Sequence, residues 1–143
     1  MMHVTLDISV IICAYTQERW HDLVAAVESV RRQSVLPHEI IVVIDHNARL
    51  LEQVRVHIPD VIVTENYEPR GLSGARNSGI AMAQGALIAF LDDDTIAEPD
   101  WLVRELPRSG RGWFSRAIMV EQTASMVPRG ILLGCGLHLS GFA

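Results

Sequence analysis

The 143 residues predict an α/β fold with a Rossmann-like parallel sheet and flanking helices. Three observations support this. Short apolar, β-branched runs recur along the chain, amphipathic stretches of helical period separate them, and Gly or Pro marks the joins. Apolar residues make up 49% of the chain, enough to fill one core without disulfides or structural metals.

Residues 8–14 (ISVIICA) are too few for a free-standing helix and form a first buried strand. In residues 19–33, Trp20, Leu23, Val24, Val27 and Val30 recur with the period of a helix packing one face on a sheet, and Pro37 breaks the pattern. Residues 39–44 (EIIVVI) give a second buried strand with Asp45 at its carboxyl end, followed by a helix over 50–57 and a short strand over 61–64. The polar loop 65–73 leads into a helix over 74–84, which Gly85 is expected to close as a C-cap. Strand four, 86–91, then delivers the chain to Asp92. A last short helix over 99–106 is predicted because Pro99 suits a first turn and Trp101, Leu102 and Leu106 can share a face.

Beyond Leu106 the α/β pattern stops. Residues 107–143 hold Glu121 as their one acid against Arg108, Arg111, Arg116 and Arg129, and are expected as an atypical, poorly ordered tail. Residues 130–143, with Gly130, Gly134, Gly136 and Gly141, form either a strand or no regular structure. The sequence shows no internal repeat.

A net charge of −5 and a pI near 5.6 speak against nucleic-acid binding, which needs clustered basic residues. All 12 basic residues are arginine, a pattern of coding bias that still leaves bidentate phosphate binders. Cys13 and Cys135 are isolated, so neither a zinc site nor a disulfide framework is expected, and Cys13 suits a core position. No signal-peptide pattern and no membrane-length apolar run is present, and a cytoplasmic location is the expectation. The six His lack metal-site spacing, and only His46 lies near the candidate chemistry.

Parallel sheets bind ligands beyond the carboxyl ends of their strands. Asp45, the loop 70–77 (RGLSGARN) and the run Asp92, Asp93, Asp94 all fall there. Three successive carboxylates repel one another and need a cation or strong donors to stay ionised. With Asp92 and Asp94 on one side of the chain, the run suits Mg²⁺ or Mn²⁺ that also grips a diphosphate. A solvated acidic turn capping the next helix is the alternative for these residues alone. The amides opening the helix after 70–77 attract anions. Otherwise the loop is merely flexible, with Gly74 and Ala75 allowing close helix packing.

The blocks ISVIICAYTQE, EIIVVIDHN and RGLSGARNSGIAMAQGALIAFLDDDTIAEPDWL, in this order and spacing over residues 7–106, closely resemble family 2 glycosyltransferases of the nucleotide-binding GT-A fold. The resemblance implies that residues 1–106 form a nucleotide-sugar-binding half. Ala14, Tyr15 and Thr16 match the strand end lining the nucleoside pocket, although Tyr15 could simply pack. Asp45 matches the aspartate that hydrogen-bonds the base, usually uracil. The family's two-aspartate ending is here Ile44, Asp45, His46, Asn47, which leaves a UDP-sugar or another NDP-sugar open. Arg76 and Asn77 match groups near the nucleotide, and Arg70 could reach the diphosphate. Asp92 and Asp94 match the ends of the DxD motif, implying ribose or metal contact for the first and metal contact for the last. Asp93 takes the variable middle position of that donor-binding motif.

The implied reaction is inverting sugar transfer to an unidentified acceptor, with the metal neutralising the departing diphosphate. The general base that must deprotonate the acceptor is unassigned, since Glu98, Asp100, Glu105 and Glu121 lie in no base motif. A chain truncated or frame-shifted after about Leu106 would explain this. The competing reading is a catalytically incompetent fragment that binds only nucleotide or metal. A haloacid-dehalogenase-like phosphatase would use Asp92 as nucleophile, but Ile96 occupies its Thr or Val position and the chain has no lysine. A sugar-1-phosphate nucleotidyltransferase would need a Gly-rich loop where Tyr15, Thr16, Gln17 and Glu18 stand.

Overall fold

The computed structural model describes residues 5–106 and 124–128. The chain runs β1 (Leu6–Ala14), a 3-10 turn (Gln17–Arg19), α1 (Trp20–Arg31), β2 (Pro37–Ile44), α2 (Ala48–His57), β3 (Ile62–Glu65), α3 (Leu72–Met82), β4 (Leu87–Asp92), α4 (Trp101–Glu105) and β5 (Ala124–Pro128). The sheet order is β3-β2-β1-β4-β5. The first four strands are mutually parallel and β5 is antiparallel to β4.

The central strand explains why its sequence is a continuous apolar run. Ile8, Val10, Ile12 and Ala14 pack with Leu23, Val27 and Val30 of α1, Leu50 and Val54 of α2, and Leu102 of α4. Ile11 points the other way, where Ile41, Val43, Ile88 and Phe90 meet Ala75 and Ile80 of α3. Both faces of β1 are therefore dry, and each fully buried isoleucine stabilises the fold by about 1.5–3 kcal/mol relative to exposure.

Connectivity positions the site. From β1 through α1, β2 and α2 to β3 the chain moves outward on one side, with both helices on one face of the sheet. It then returns through α3 on the opposite face to place β4 on the other side of β1. The carboxyl ends of β1 and β4 thus flank the point where the winding reverses, which opens a crevice.

Four local features differ from the sequence expectation. Helix α4 begins at Trp101 with Asp100 as its N-cap, so Pro99 stands before the helix rather than in its first turn. Pro37 is the first residue of β2, paired with Leu6, a place where its missing N–H does no harm. Helix α3 ends at Met82 with the extended Ala83 as its cap, so Gly85 is not the C-cap. Gly85 is instead required by close approach, since a Cβ there would lie 2.6 Å from the Ser9 nitrogen. Strand β5 comes from the stretch beyond Leu106, where the sequence pattern marked no strand before residue 130. Residues 130–143, Glu121, Cys135 and the four tail arginines lie outside the described residues. No helix among the described residues is long and apolar enough to cross a membrane.

Candidate functional site

The ends of β1, β2 and β4 and the start of α3 surround a cavity of about 500 Å³. Ile11, Cys13, Ala75, Phe90 and Leu91 supply apolar lining. Ala14, Tyr15, Asp45, Arg70, Arg76, Asp92, Asp93 and Asp94 all line the same cavity, joined by Arg19, His46 and Gly71. Two expected residues are placed elsewhere. The Thr16 hydroxyl accepts the Glu18 N–H at 3.2 Å and caps the 3-10 turn, and neither Thr16 nor Asn77 lines the cavity.

At the end of β2, the Asp45 carboxylate is almost fully enclosed and accepts two hydrogen bonds. Asn66 Nδ2 donates to Oδ1 at 2.8 Å and the Gly71 N–H to Oδ2 at 3.0 Å. Gly71 has a φ of +137°, a backbone state that favours glycine, and this state opens α3. His46 follows with Nε2 2.8 Å from the Glu68 carbonyl, so this nitrogen carries the proton. Loop 66–71 is therefore tied down on the end of β2.

At the end of β4, Asp92 lies opposite Cys13 of β1, and the Thr95 N–H donates to its carbonyl at 3.2 Å to close a turn. Arg76 of α3 places Nη2 3.8 Å from Asp92 Oδ1 and its guanidinium 5.1 Å from the centre of the Phe90 ring. Arg19 donates to Asp93 Oδ1 at 3.3 Å and lies 5.6 Å from the centre of the Tyr15 ring. Asp93, the variable middle position by resemblance, is the most buried of the three acids, whereas Asp94 is exposed. Asp93 Oδ2 is buried without a hydrogen-bond partner among the described residues.

Burial pushes the Asp92 carboxyl above the usual carboxylate range, with Arg76 opposing and Asp94 adding to the rise. Burial likewise raises Asp93, against the pull of Arg19. The Cys13 thiol is pushed up to about 12 by burial, so it stays protonated and acts as an apolar wall.

These residues fit a divalent cation. Asp92 and Asp94 face one cavity, and the orphaned oxygen of Asp93 lies between them in sequence. No group of three His, Cys, Asp or Glu among the described residues is arranged to hold an ion unaided. A cation held here would therefore need most of its ligands from phosphate and water.

Sequence reading missed Arg19, Asn66 and Ser78. Arg19 stood at the start of a helical pattern, and Asn66 in a loop where asparagine is an ordinary turn former. Asn66 contacts Asp45 across 21 positions and Ser78 across 12, spacings without a local signal.

An open, doubly wound sheet with an acidic and arginine-lined crevice at its reversal point is the arrangement in which α/β proteins place ligand sites. The chain belongs to glycosyl transferase family 2, whose model matches residues 9–118. It is 37% identical over 100 residues to a glucosyl-dolichyl phosphate glucuronosyltransferase of Haloferax volcanii, covering 68% of this chain and 32% of that protein. It is 35% identical over 105 residues to the succinoglycan biosynthesis protein ExoO of Rhizobium meliloti, covering 72% and 30% respectively. The chain thus spans about a third of the length of these relatives. Among solved structures, a mannosyltransferase from Pyrobaculum calidifontis in complex with GDP-Man and Mn²⁺ superposes with a TM-score of 0.69 at 17% identity, over 93% of this chain and 47% of that one. TarS residues 1–349 of S. aureus superpose at 0.64 and 17% identity, over 92% and 49%. These two likenesses show the shared GT-A fold. Family membership displaces the phosphatase reading of Asp92.

Proposed function

We propose that this chain binds a nucleoside-diphosphate sugar, UDP-linked or carrying another base, through Mn²⁺ or Mg²⁺. It forms the donor-holding part of an enzyme that transfers the sugar with inversion to an acceptor the residues do not specify. The observation that carries this reading is convergence. Asp45, Arg70, Arg76, Asp92 and Asp94 come from three different segments and line one cavity where the sheet winding reverses. The cytosolic location expected from the sequence belongs to the same proposal.

In this reading Ala14 and Tyr15 wall the nucleoside, Asp45 accepts from the base, and Arg70 meets the diphosphate. Thr16 and Asn77 contribute by family position, outside the cavity lining. Asp92 and Asp94 hold the cation, and Asp93 anchors their turn through Arg19. When bound, the cation supplies charge neutralisation for the departing diphosphate. Arg76 beside Asp92 adds a fixed positive charge at the same place.

Donor binding without transfer is the second reading, and one observation favours it. Glu98, Asp100 and Glu105, the described carboxylates downstream of Asp94, do not line the cavity, and Asp100 is paired with Arg104 at 3.2 Å. Titration of the folded chain with UDP, GDP and ADP, with and without Mn²⁺, tests the shared part of both readings. Binding of one of them that strengthens with Mn²⁺, and loses that gain in Asp94→Ala, is expected. If no nucleoside diphosphate binds a folded sample, the proposal is wrong. Release of nucleoside diphosphate from a bound donor sugar then separates transfer from binding alone.

A further inference from the structure

Asn66 lies just after β3, is 4% exposed, and uses its whole hydrogen-bonding capacity. Nδ2 donates to Asp45 Oδ1 at 2.8 Å and to the Pro69 carbonyl at 3.2 Å. Oδ1 accepts the Glu68 N–H at 2.9 Å and the Ser78 hydroxyl at 2.9 Å. An amide has two donors and two acceptor sites, so this side chain is fully satisfied. Its main-chain N–H donates to the Ile44 carbonyl at 2.9 Å, fixing it beside the end of β2. Ser78 of α3 backs it, since the same hydroxyl accepts the Tyr67 N–H at 3.1 Å.

We propose that Asn66 is a positioning residue of the donor site, which orients the Asp45 carboxylate and sets the path of the loop carrying Arg70. The structural argument is specific to asparagine. Alanine would leave Asp45 Oδ1 and the Glu68 N–H without their partner. Aspartate would keep the two acceptor roles but set a second carboxylate against Asp45 and remove both donors. Asp45 in turn holds Gly71, the residue that opens α3, so a turn of the Asp45 carboxylate displaces the cavity wall. The inference rests on the donor-site reading for its functional half alone.

The test has two arms. In the ligand-free chain, amide exchange of Gly71 is compared between wild type and Asn66→Ala, with Asn66→Asp as the second variant should alanine fail to fold. Exchange at Gly71 faster by about tenfold or more is expected, because the acceptor of that N–H is no longer oriented. Unchanged Gly71 protection in a folded variant overturns the proposal. In the second arm, affinity for UDP and GDP is measured for Asn66→Ala, Asp45→Ala and the double variant. A loss of about tenfold in Asn66→Ala, with the double variant no weaker than Asp45→Ala, is expected of a residue acting through Asp45. Losses that multiply overturn that role and leave general destabilisation. If the wild type binds neither nucleotide, the donor-site reading fails, while the Gly71 arm still decides whether Asn66 orients Asp45.

Discussion

Replacing Gly74 by alanine perturbs the join between α3 and the loop that crosses its first turn. A Cβ at this position would lie 2.5 Å from the Pro69 carbonyl oxygen, 2.9 Å from Glu68 Cβ and 3.2 Å from Asn66 Nδ2. Ordinary contacts need about 3.5 Å or more, and the nearest obstacle is main chain, which cannot swing aside like a side-chain tip. The loop must therefore lift, straining the Asn66 to Pro69 hydrogen bond. Overpacking costs about 1–3 kcal/mol and a weakened hydrogen bond about 0.5–1.5, offset by about 1 kcal/mol from alanine's better helix propensity. A net loss of about 0.5–3.5 kcal/mol lowers the thermal midpoint by roughly 2–12 °C in a chain of this size. Differential scanning fluorimetry reads the midpoint, and titration with the nucleoside diphosphate that binds wild type reads the cavity, with a loss of about tenfold expected. A midpoint within about 1 °C of wild type together with unchanged affinity would refute the packing argument.

Burial raises the Asp92 and Asp93 carboxyls above the 3.8 of a free side chain, so between that value and the raised ones the folded chain binds more protons than the unfolded one. Stability of the metal-free chain then falls as pH rises through that window, and Mn²⁺, which needs ionised ligands, raises the midpoint more above the window than inside it; equal shifts in both would contradict this. Arg19→Ala, which frees the turn at Asp93, weakens the Mn²⁺-dependent part of nucleotide affinity by about threefold to tenfold, and Arg19→Lys recovers part of it in the same titration. Gly85→Ala drives a methyl onto Ser9 at the opposite end of the sheet, so it lowers the thermal midpoint while leaving the nucleotide affinity of the folded fraction unchanged.

The parallel sheet was legible because strands buried on both faces must be apolar without interruption, as residues 8–14 and 39–44 are. The placement of Asp45 just after β2 and of Asp92 at the end of β4 followed from strand ends alone, since the crevice of an open sheet lies beyond the carboxyl ends of its strands. What escaped was set by contacts between distant segments. Gly85 has the composition of a cap, yet its role is to let the chain pass Ser9, 76 positions earlier. Asp93 occupies a variable position in a motif, and only the fold reveals that Arg19, 74 positions away, meets it. Thr16 and Asn77 adjoin residues that line the cavity, but a 3-10 turn and the helical period of α3 turn them elsewhere. Strand β5 escaped because ASMVP is short and has Val127 as its one β-branched residue, so its strand character comes with pairing to β4.

The most direct test of the central claim, that one crevice at the ends of β1, β2 and β4 holds a cation and a nucleoside diphosphate together, is paramagnetic broadening of amide resonances by Mn²⁺. With nucleoside diphosphate present, substoichiometric Mn²⁺ is predicted to broaden the Asp92, Asp93 and Asp94 signals first. Ala14 and Arg76 should follow, with the Gly85 end of the sheet unaffected. The same broadening pattern should vanish in Asp94→Ala. Broadening centred away from β4's carboxyl end, or unchanged by the nucleotide, would contradict the account.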